Sequence, residues 1–215
     1  MSRKRNSILI FLLVLVLFTI GTWVAKIING ELPYVDQWTR ALVERFDDTY
    51  VYTIFRLVTE LGSQSFLIPF IIIMAFILWL LFRNYLPALI FAGGTLMSHL
   101  LNVLIKNIVA RERPSISIAA NAEGHSFPSG HAMLSMVCYG LLVYFLSKKV
   151  SSTKRVFVIQ LFFALLIFLI GLSRFFINVH YLTDIMAGFF IGYLCLIGLV
   201  YLYEFIQKRQ NQSKV

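Results

Sequence analysis

Residues 62–105 read "GSQSFLIPFIIIMAFILWLLFRNYLPALIFAGGTLMSHLLNVLI", two long apolar runs parted only by Arg83 and its neighbours. At about 1.5 Å rise per residue, roughly 20 residues cross the ~30 Å hydrocarbon core of a bilayer. Each run meets that length, so the pair is expected to form a tight helical hairpin in a membrane. The rest of the chain repeats the pattern. Ser7–Ala25, Gly62–Phe82, Asn84–Ile105, Ser126–Ser147, Val156–Ser173 and Ile185–Tyr203 are six uncharged or nearly uncharged runs. With 59% hydrophobic and 13% charged residues among 215, the composition excludes an ordinary soluble domain. The fold class expected is an all-α integral membrane protein of six transmembrane helices, organised as one domain over residues 1–215.

The first run follows Arg3-Lys4-Arg5, but it is longer than the apolar region of a signal peptide. "GTWVAKIING" also offers a poor cleavage site, so the run reads as a retained anchor. The net charge of +9 does not point to nucleic acid here, because its distribution along the chain has a better account. With a cytoplasmic N-terminus, six crossings put Arg3, Lys4, Arg5, Arg83, Lys148, Lys149, Lys154, Arg155, Lys208, Arg209 and Lys214 inside. That is eleven of the nineteen Lys and Arg, while nine of the ten acids fall outside. Basic residues gather in cytoplasmic loops, so residues 1–6 and the tail 205–215 are expected in the cytoplasm. Cys138 and Cys195 lie within apolar runs and read as packing residues.

Two outer segments are long enough to hold something. In residues 29–50, Val35, Trp38, Leu42 and Phe46 recur at helical spacing between acids and arginines. They predict a short amphipathic helix in the interface, with Trp38 at headgroup depth. It would serve as a cover for the bundle or as a gate for lipids. The second segment, from Ala110 to Ser129, is flanked by polar residues in three groups.

The first group is "KNIVARERP". Lys106 and Arg113 are seven apart, so they share a stripe if the helix persists, before Pro114 turns the chain out of it. They read either as snorkelling cations or as ligands for an anion. Arg111 faces elsewhere and reads as a headgroup contact. Deeper on the same helix, Ser98, His99 and Asn102 suit interhelical hydrogen bonds, and His99 lies too deep for a phosphate at the surface.

The second group is "GHSFPSGHAM", residues 124–133. Pro128 ends a loop, Ser129 suits an N-cap, and Gly130 opens a helix whose free N–H groups can receive an anion. His131 falls in the first turn. A bound anion there offsets the bias of the helix dipole against imidazolium, which suits a group that hands a proton to a departing oxygen. His125 could add a loop contact. The third group is "SRFFINVHYLTD". His180 and Asp184 are four apart, so on a helix the carboxylate would accept the imidazole N–H and leave the other nitrogen free as a nucleophile. An ion pair holding the bundle together is the alternative.

All three groups fall on one side under a single topology. Lys106, Arg113 and Arg174 supply positive charge, Ser129 and the Gly130 amide supply neutral donors, and His131 and His180 supply an acid and a nucleophile. This inventory fits phosphoryl transfer, in which charge on the equatorial oxygens must be stabilised. No carboxylate cluster stands beside it to hold magnesium, so no metal and no cofactor is expected.

These residues resemble the signatures of the type 2 phosphatidic acid phosphatase superfamily: Lys106 to Arg113-Pro114, Pro128-Ser129-Gly130-His131, and Ser173-Arg174 with His180 and Asp184. The resemblance implies that His180 attacks phosphorus to form a phosphohistidine, that Asp184 orients it and that His131 protonates the leaving group. It further implies that Lys106, Arg113, Ser129, Gly130 and Arg174 hold the phosphate. The substrate implied is a lipid phosphate drawn from the bilayer, with phosphatidylglycerophosphate first and undecaprenyl pyrophosphate or phosphatidic acid as alternatives. A phosphotransferase or a non-catalytic phosphate-lipid transporter would use the same pocket differently. No obligate protein partner and no nucleic acid is expected, and the active site is placed at the extracytoplasmic face.

Overall fold

The hairpin at Arg83 forms through two caps. Arg83 takes a left-handed conformation (φ 53°) and its N–H closes on the Trp79 carbonyl, while the Asn84 side chain accepts from the Leu86 N–H. A left-handed residue ends one helix, and a side-chain acceptor at once starts the next. The computed structural model describes residues 2–43, 50–114 and 124–212. Among them are eight helices and no strand: α1 (Ser2–Ile28), α2 (Tyr34–Val43), α3 (Tyr50–Glu60), α4 (Gln64–Phe82), α5 (Tyr85–Val109), α6 (Gly130–Ser147), α7 (Thr153–Phe176) and α8 (Leu182–Gln212).

Six stretches are long and apolar enough to cross a membrane, as expected, and one of them joins α3 to α4 across a break. The second span therefore starts well before Gly62, at Tyr52. The break spans Leu61 to Ser63, and the Ser63 hydroxyl caps α4 by accepting from Phe66 N–H. The last helix runs on to Gln212, so most of the predicted tail from residue 205 is helical.

The buried helix α6 packs against α5, α7 and α8. Its contact with α8 is close because of two glycines on one face of α8. A Cβ on Gly188 would stand 2.7 Å from the Ser129 carbonyl oxygen, and one on Gly192 would stand 2.7 Å from that of Met133. Small residues four apart let helix backbones approach where lipid removes the usual hydrophobic drive. One consequence is that the start of α8 meets the start of α6, and Ser129 N–H donates to the Asp184 carbonyl at 3.0 Å. At the opposite end, Tyr203 and Phe145 are fully buried with ring centroids 5.1 Å apart. By contrast, α1 touches the bundle through Ile20, Val24 and Ile27, and much of its remaining surface is apolar and exposed, as a lipid-facing helix requires.

The amphipathic helix expected in the 29–50 segment is α2. Its inward face is not the apolar stripe: Asp36 and Val43 are buried, while Trp38 is 79% exposed and Leu42 is exposed beside it. Phe46 lies outside the described residues.

Candidate active site

Three distant segments meet in one cavity of about 430 Å³. Lys106 reaches it from α5, Gly130 and His131 from the start of α6, Arg174 from the last turn of α7, and Arg113 and His180 from the connections between helices. The groups singled out in the sequence thus share one site. They do not arrive as the spacing suggested. Helix α5 stops at Val109, because Ala110 takes a left-handed conformation (φ 50°) and closes on the Lys106 carbonyl. Lys106 and Arg113 are therefore not on one helical stripe, and the turn precedes Pro114. The non-helical residues after it bring Arg113 back to the cavity.

His180 likewise precedes its helix. At the end of α7, Ile177 N–H bonds to Ser173, and Val179 and His180 N–H both reach the Arg174 carbonyl around the left-handed Asn178 (φ 57°). This turn delivers His180 to the mouth of α8. Asp184 sits in the first turn of α8 and reaches back to accept from Tyr181 N–H at 2.9 Å, half of a capping box. The same Oδ2 stands 3.4 Å from His180 Nδ1. The pairing of His180 with Asp184 forms across a helix cap rather than on one helix face.

The other ring nitrogen of His180 is 3.2 Å from Arg113 Nη1. A guanidinium has donors and no acceptor, so this contact needs a lone pair on Nε2. The proton then belongs on Nδ1, facing Asp184. Burial, reinforced by Arg174, Arg113 and Lys106, holds the His180 pKa well below the usual histidine value. The imidazole is thus neutral near pH 7, with its lone pair on Nε2.

Two donors near the cavity have no partner among the described residues. Ser129 occupies the N-cap position of α6, yet its hydroxyl makes no capping bond and is buried. Arg174 gives one nitrogen to Thr59 Oγ1 at 3.0 Å, while its buried Nε has nothing to donate to. An unsatisfied buried polar group costs about 1–3 kcal/mol. An oxyanion that reached either of them would remove that cost. Lys106 Nζ contacts the His125 carbonyl, so the backbone of His125 rather than its ring serves the site. Asn102 Nδ2 donates to the Pro128 carbonyl at 3.3 Å and helps seat the loop before α6. His99, expected to be too deep, lines the cavity. Ser98 bonds back to Gly94 of its own helix and also meets Cys195 of α8 in a side-chain hydrogen bond, the interhelical contact expected of it.

Arg111 is not a headgroup contact. It is buried, with Nη2 2.7 Å from Asp36 Oδ2 and Nη1 2.6 Å from Asp184 Oδ1, and its guanidinium lies over the Tyr181 ring. The reversal at Ala110 turns it inward. Asp36, Thr183 and the lining residues Glu60, Ser63 and Gln64 were not anticipated as part of the site. For Asp36 a signal did exist: an acid seven positions before Val43 shares its helix face. Among the described residues, no group of three or more His, Cys, Asp or Glu is placed to hold a metal ion.

The chain matches the PAP2 superfamily over residues 87–208, which include the residues described above from Lys106 to Asp184. It is 33% identical over 144 residues to phosphatidylglycerophosphatase B of Bacillus subtilis, covering 64% of this chain and 68% of that protein. It is 29% identical over 171 residues to dolichyldiphosphatase of Saccharomyces cerevisiae, covering 72% and 71%. In fold it is similar to the crystal structure of a transmembrane PAP2 type phosphatidylglycerolphosphate phosphatase from Bacillus subtilis. That match has a TM-score of 0.76 at 24% identity and covers 88% of this chain and 96% of that one. LpxE of Aquifex aeolicus is similar at a TM-score of 0.58 and 22% identity, covering 74% and 91%.

Proposed function

The chain belongs to the PAP2 superfamily, and from that premise we propose that it hydrolyses the terminal phosphomonoester of phosphatidylglycerophosphate through a phosphohistidine on His180. In coarser terms, it is a multi-pass membrane lipid phosphatase of the metal-independent kind. The observation that carries the mechanism is the orientation of His180. Its Nδ1 faces Asp184 and its Nε2 faces Arg113, in a cavity lined by three cations beside two buried donors with no partner.

In the first step the Nε2 lone pair attacks phosphorus and the P–O ester bond breaks. The departing alkoxide takes a proton from His131. Lys106, Arg113, Arg174, the Ser129 hydroxyl and the Gly130 amide receive the equatorial oxygens, the role that magnesium plays in other phosphoryl transfers. In the second step water attacks the phosphohistidine and gives its proton to His131. The P–N bond then breaks, releasing inorganic phosphate and neutral His180.

The cavity continues past these residues to Glu60, Ser63, Gln64 and His99. Its polar lining suits a hydroxyl-bearing glycerol headgroup. The likeness to a dolichyldiphosphatase favours a second reading, a polyprenyl diphosphate such as undecaprenyl pyrophosphate. Phosphate release by purified protein in detergent and EDTA, from phosphatidylglycerophosphate, phosphatidic acid and undecaprenyl pyrophosphate, decides between them. The highest kcat/KM on the first supports the proposal, and preference for the third replaces it. No release from any of the three contradicts the phosphatase reading.

The site is assigned to the extracytoplasmic face, with both termini in the cytoplasm. Lys148, Lys149, Lys154 and Arg155 lie at the ends of α6 and α7 remote from the cavity, in keeping with the positive-inside rule. In a background without Cys138 and Cys195, Glu112→Cys should react with an impermeant thiol reagent in intact cells and Ser152→Cys should not. The reverse pattern inverts the orientation.

A further inference from the structure

Asp36 lies on α2, outside the residues that the motifs supply, yet it is 1% exposed and its carboxylate makes three polar contacts. Its Oδ1 accepts from Thr183 N–H at 3.0 Å, at the first turn of α8. Its Oδ2 accepts from Thr183 Oγ1 at 2.6 Å and from Arg111 Nη2 at 2.7 Å. Arg111 then spends Nη1 on Asp184 Oδ1 at 2.6 Å and on Thr183 Oγ1 at 2.9 Å. One cation is shared by two buried carboxylates, and only the second of them touches His180.

We propose that Asp36 is a positioning residue of the reaction, acting through Arg111 to keep Asp184 turned so that its Oδ2 meets His180. This rests on the reading of His180 as nucleophile.

The geometry explains why the division matters. With Asp36 in place, Arg111 is stretched between two acids and can take only Oδ1 of Asp184, leaving Oδ2 to His180 Nδ1 and Tyr181 N–H. Without the charge of Asp36, Arg111 has a single buried carboxylate to satisfy. A guanidinium in that position favours the bidentate fork across both oxygens. It would then draw Oδ2 away from His180. Misplacement of a reacting group by about 1 Å can cost about 10²-fold in rate, although phosphate itself would still bind. The interfacial helix α2 is on this account part of the catalytic apparatus rather than a cover.

The test uses Asp36→Asn in the full-length protein. The amide keeps the acceptor for Thr183 N–H and the side-chain volume but turns an NH₂ toward Arg111 and Thr183 Oγ1, so a purely structural role predicts a lower melting temperature and, in the protein that folds, near wild-type kinetics. The proposal predicts that kcat falls about 10- to 100-fold, and the rate of phosphoenzyme formation with it. KM and inhibition by orthovanadate should change less than about 2-fold. Wild-type kcat in folded Asp36→Asn overturns the proposal. So does a loss of kcat matched by equal weakening of vanadate, which would mean that the cavity had collapsed. If Asp36→Asn does not fold, Thr183→Val decides. It removes the hydroxyl shared by Asp36 and Arg111, and should lower kcat several-fold at constant KM. Wild-type kcat there overturns the proposal. A wild-type protein that releases no phosphate from any lipid contradicts the phosphatase reading itself and is recognised before either variant is made.

Discussion

Arg113 Nη1 stands 3.2 Å from His180 Nε2, while Asp184 Oδ2 stands 3.4 Å from Nδ1 of the same ring. The imidazole is held between a group that can only donate and a group that can accept, and the two together fix its tautomer. Asp184→Asn offers Nδ1 an NH₂ donor and so favours the tautomer with the proton on Nε2, the attacking atom. In serine proteases the corresponding exchange lowers kcat by on the order of 10⁴. A similar loss is expected here on the best lipid phosphate, with the protein still folded in detergent. A loss below 10-fold contradicts the tautomer argument.

The acid side of the pH profile follows from the same ring. Burial, and then Arg174, lower the pKa of His180. As pH falls through that depressed value, Nε2 gains a proton and cannot attack, so kcat/KM drops. His180 alone should therefore permit turnover well below its ordinary pKa of about 6.5. Arg174→Gln removes one repulsive charge, and the acid limb should move to higher pH even though absolute activity falls. Comparison on one substrate cancels the substrate's own ionisation. A limb that stays in place, or moves to lower pH, contradicts the assignment.

The backbone contact beneath the site can be tested with a methyl group. Gly188→Ala places Cβ 2.7 Å from the Ser129 carbonyl oxygen, where neither backbone can yield cheaply. Overpacking of this kind costs about 1–3 kcal/mol. It should lower the melting temperature in detergent and weaken inhibition by vanadate, because Ser129 and Gly130 move together. Gly198→Ala on the same helix meets open space and should be neutral or slightly stabilising. Equal melting temperatures for the two variants would contradict the close packing of α6 on α8.

How much of this was legible beforehand varied with the range of the interactions. The six spans follow from local hydropathy, and the hairpin follows from Arg83 and Asn84 alone. The meeting of Lys106, Arg113, His131, Arg174 and His180 was legible because topology puts their segments on one face. The inward turn of Arg111 was not, because it depends on the left-handed Ala110 and on carboxylates 75 and 73 residues away. Asp36 was hidden behind a strong apolar stripe, Trp38 and Leu42, which faces outward. The part of the second span before Gly62 was missed because Arg56 and Glu60 interrupt the apolar pattern of α3, so the run reads as starting at Gly62. The value of Gly62 lies in tertiary packing: a Cβ there would lie 2.5 Å from Ile170 and 3.0 Å from the His131 ring.

His131 lines the cavity from the first turn of α6, and its assigned task is the proton of the leaving group. General acid catalysis contributes about 10²- to 10⁴-fold when the departing alkoxide is basic. p-Nitrophenyl phosphate needs little protonation as it departs. His131→Ala should retain a far larger fraction of wild-type activity on that ester than on a lipid phosphate. Equal losses on both substrates would remove His131 from that role.

The central claim is that His180 carries the phosphoryl group, and rapid quenching with a lipid substrate labelled in its terminal phosphate tests it most directly. Wild type with that lipid, and His131→Ala with labelled p-nitrophenyl phosphate, whose departure needs little protonation, should each yield an acid-labile, base-stable phosphoenzyme whose label maps by peptide sequencing to His180, and His180→Ala should yield none from either substrate. Label on His131, or an equal yield from His180→Ala, would contradict the account.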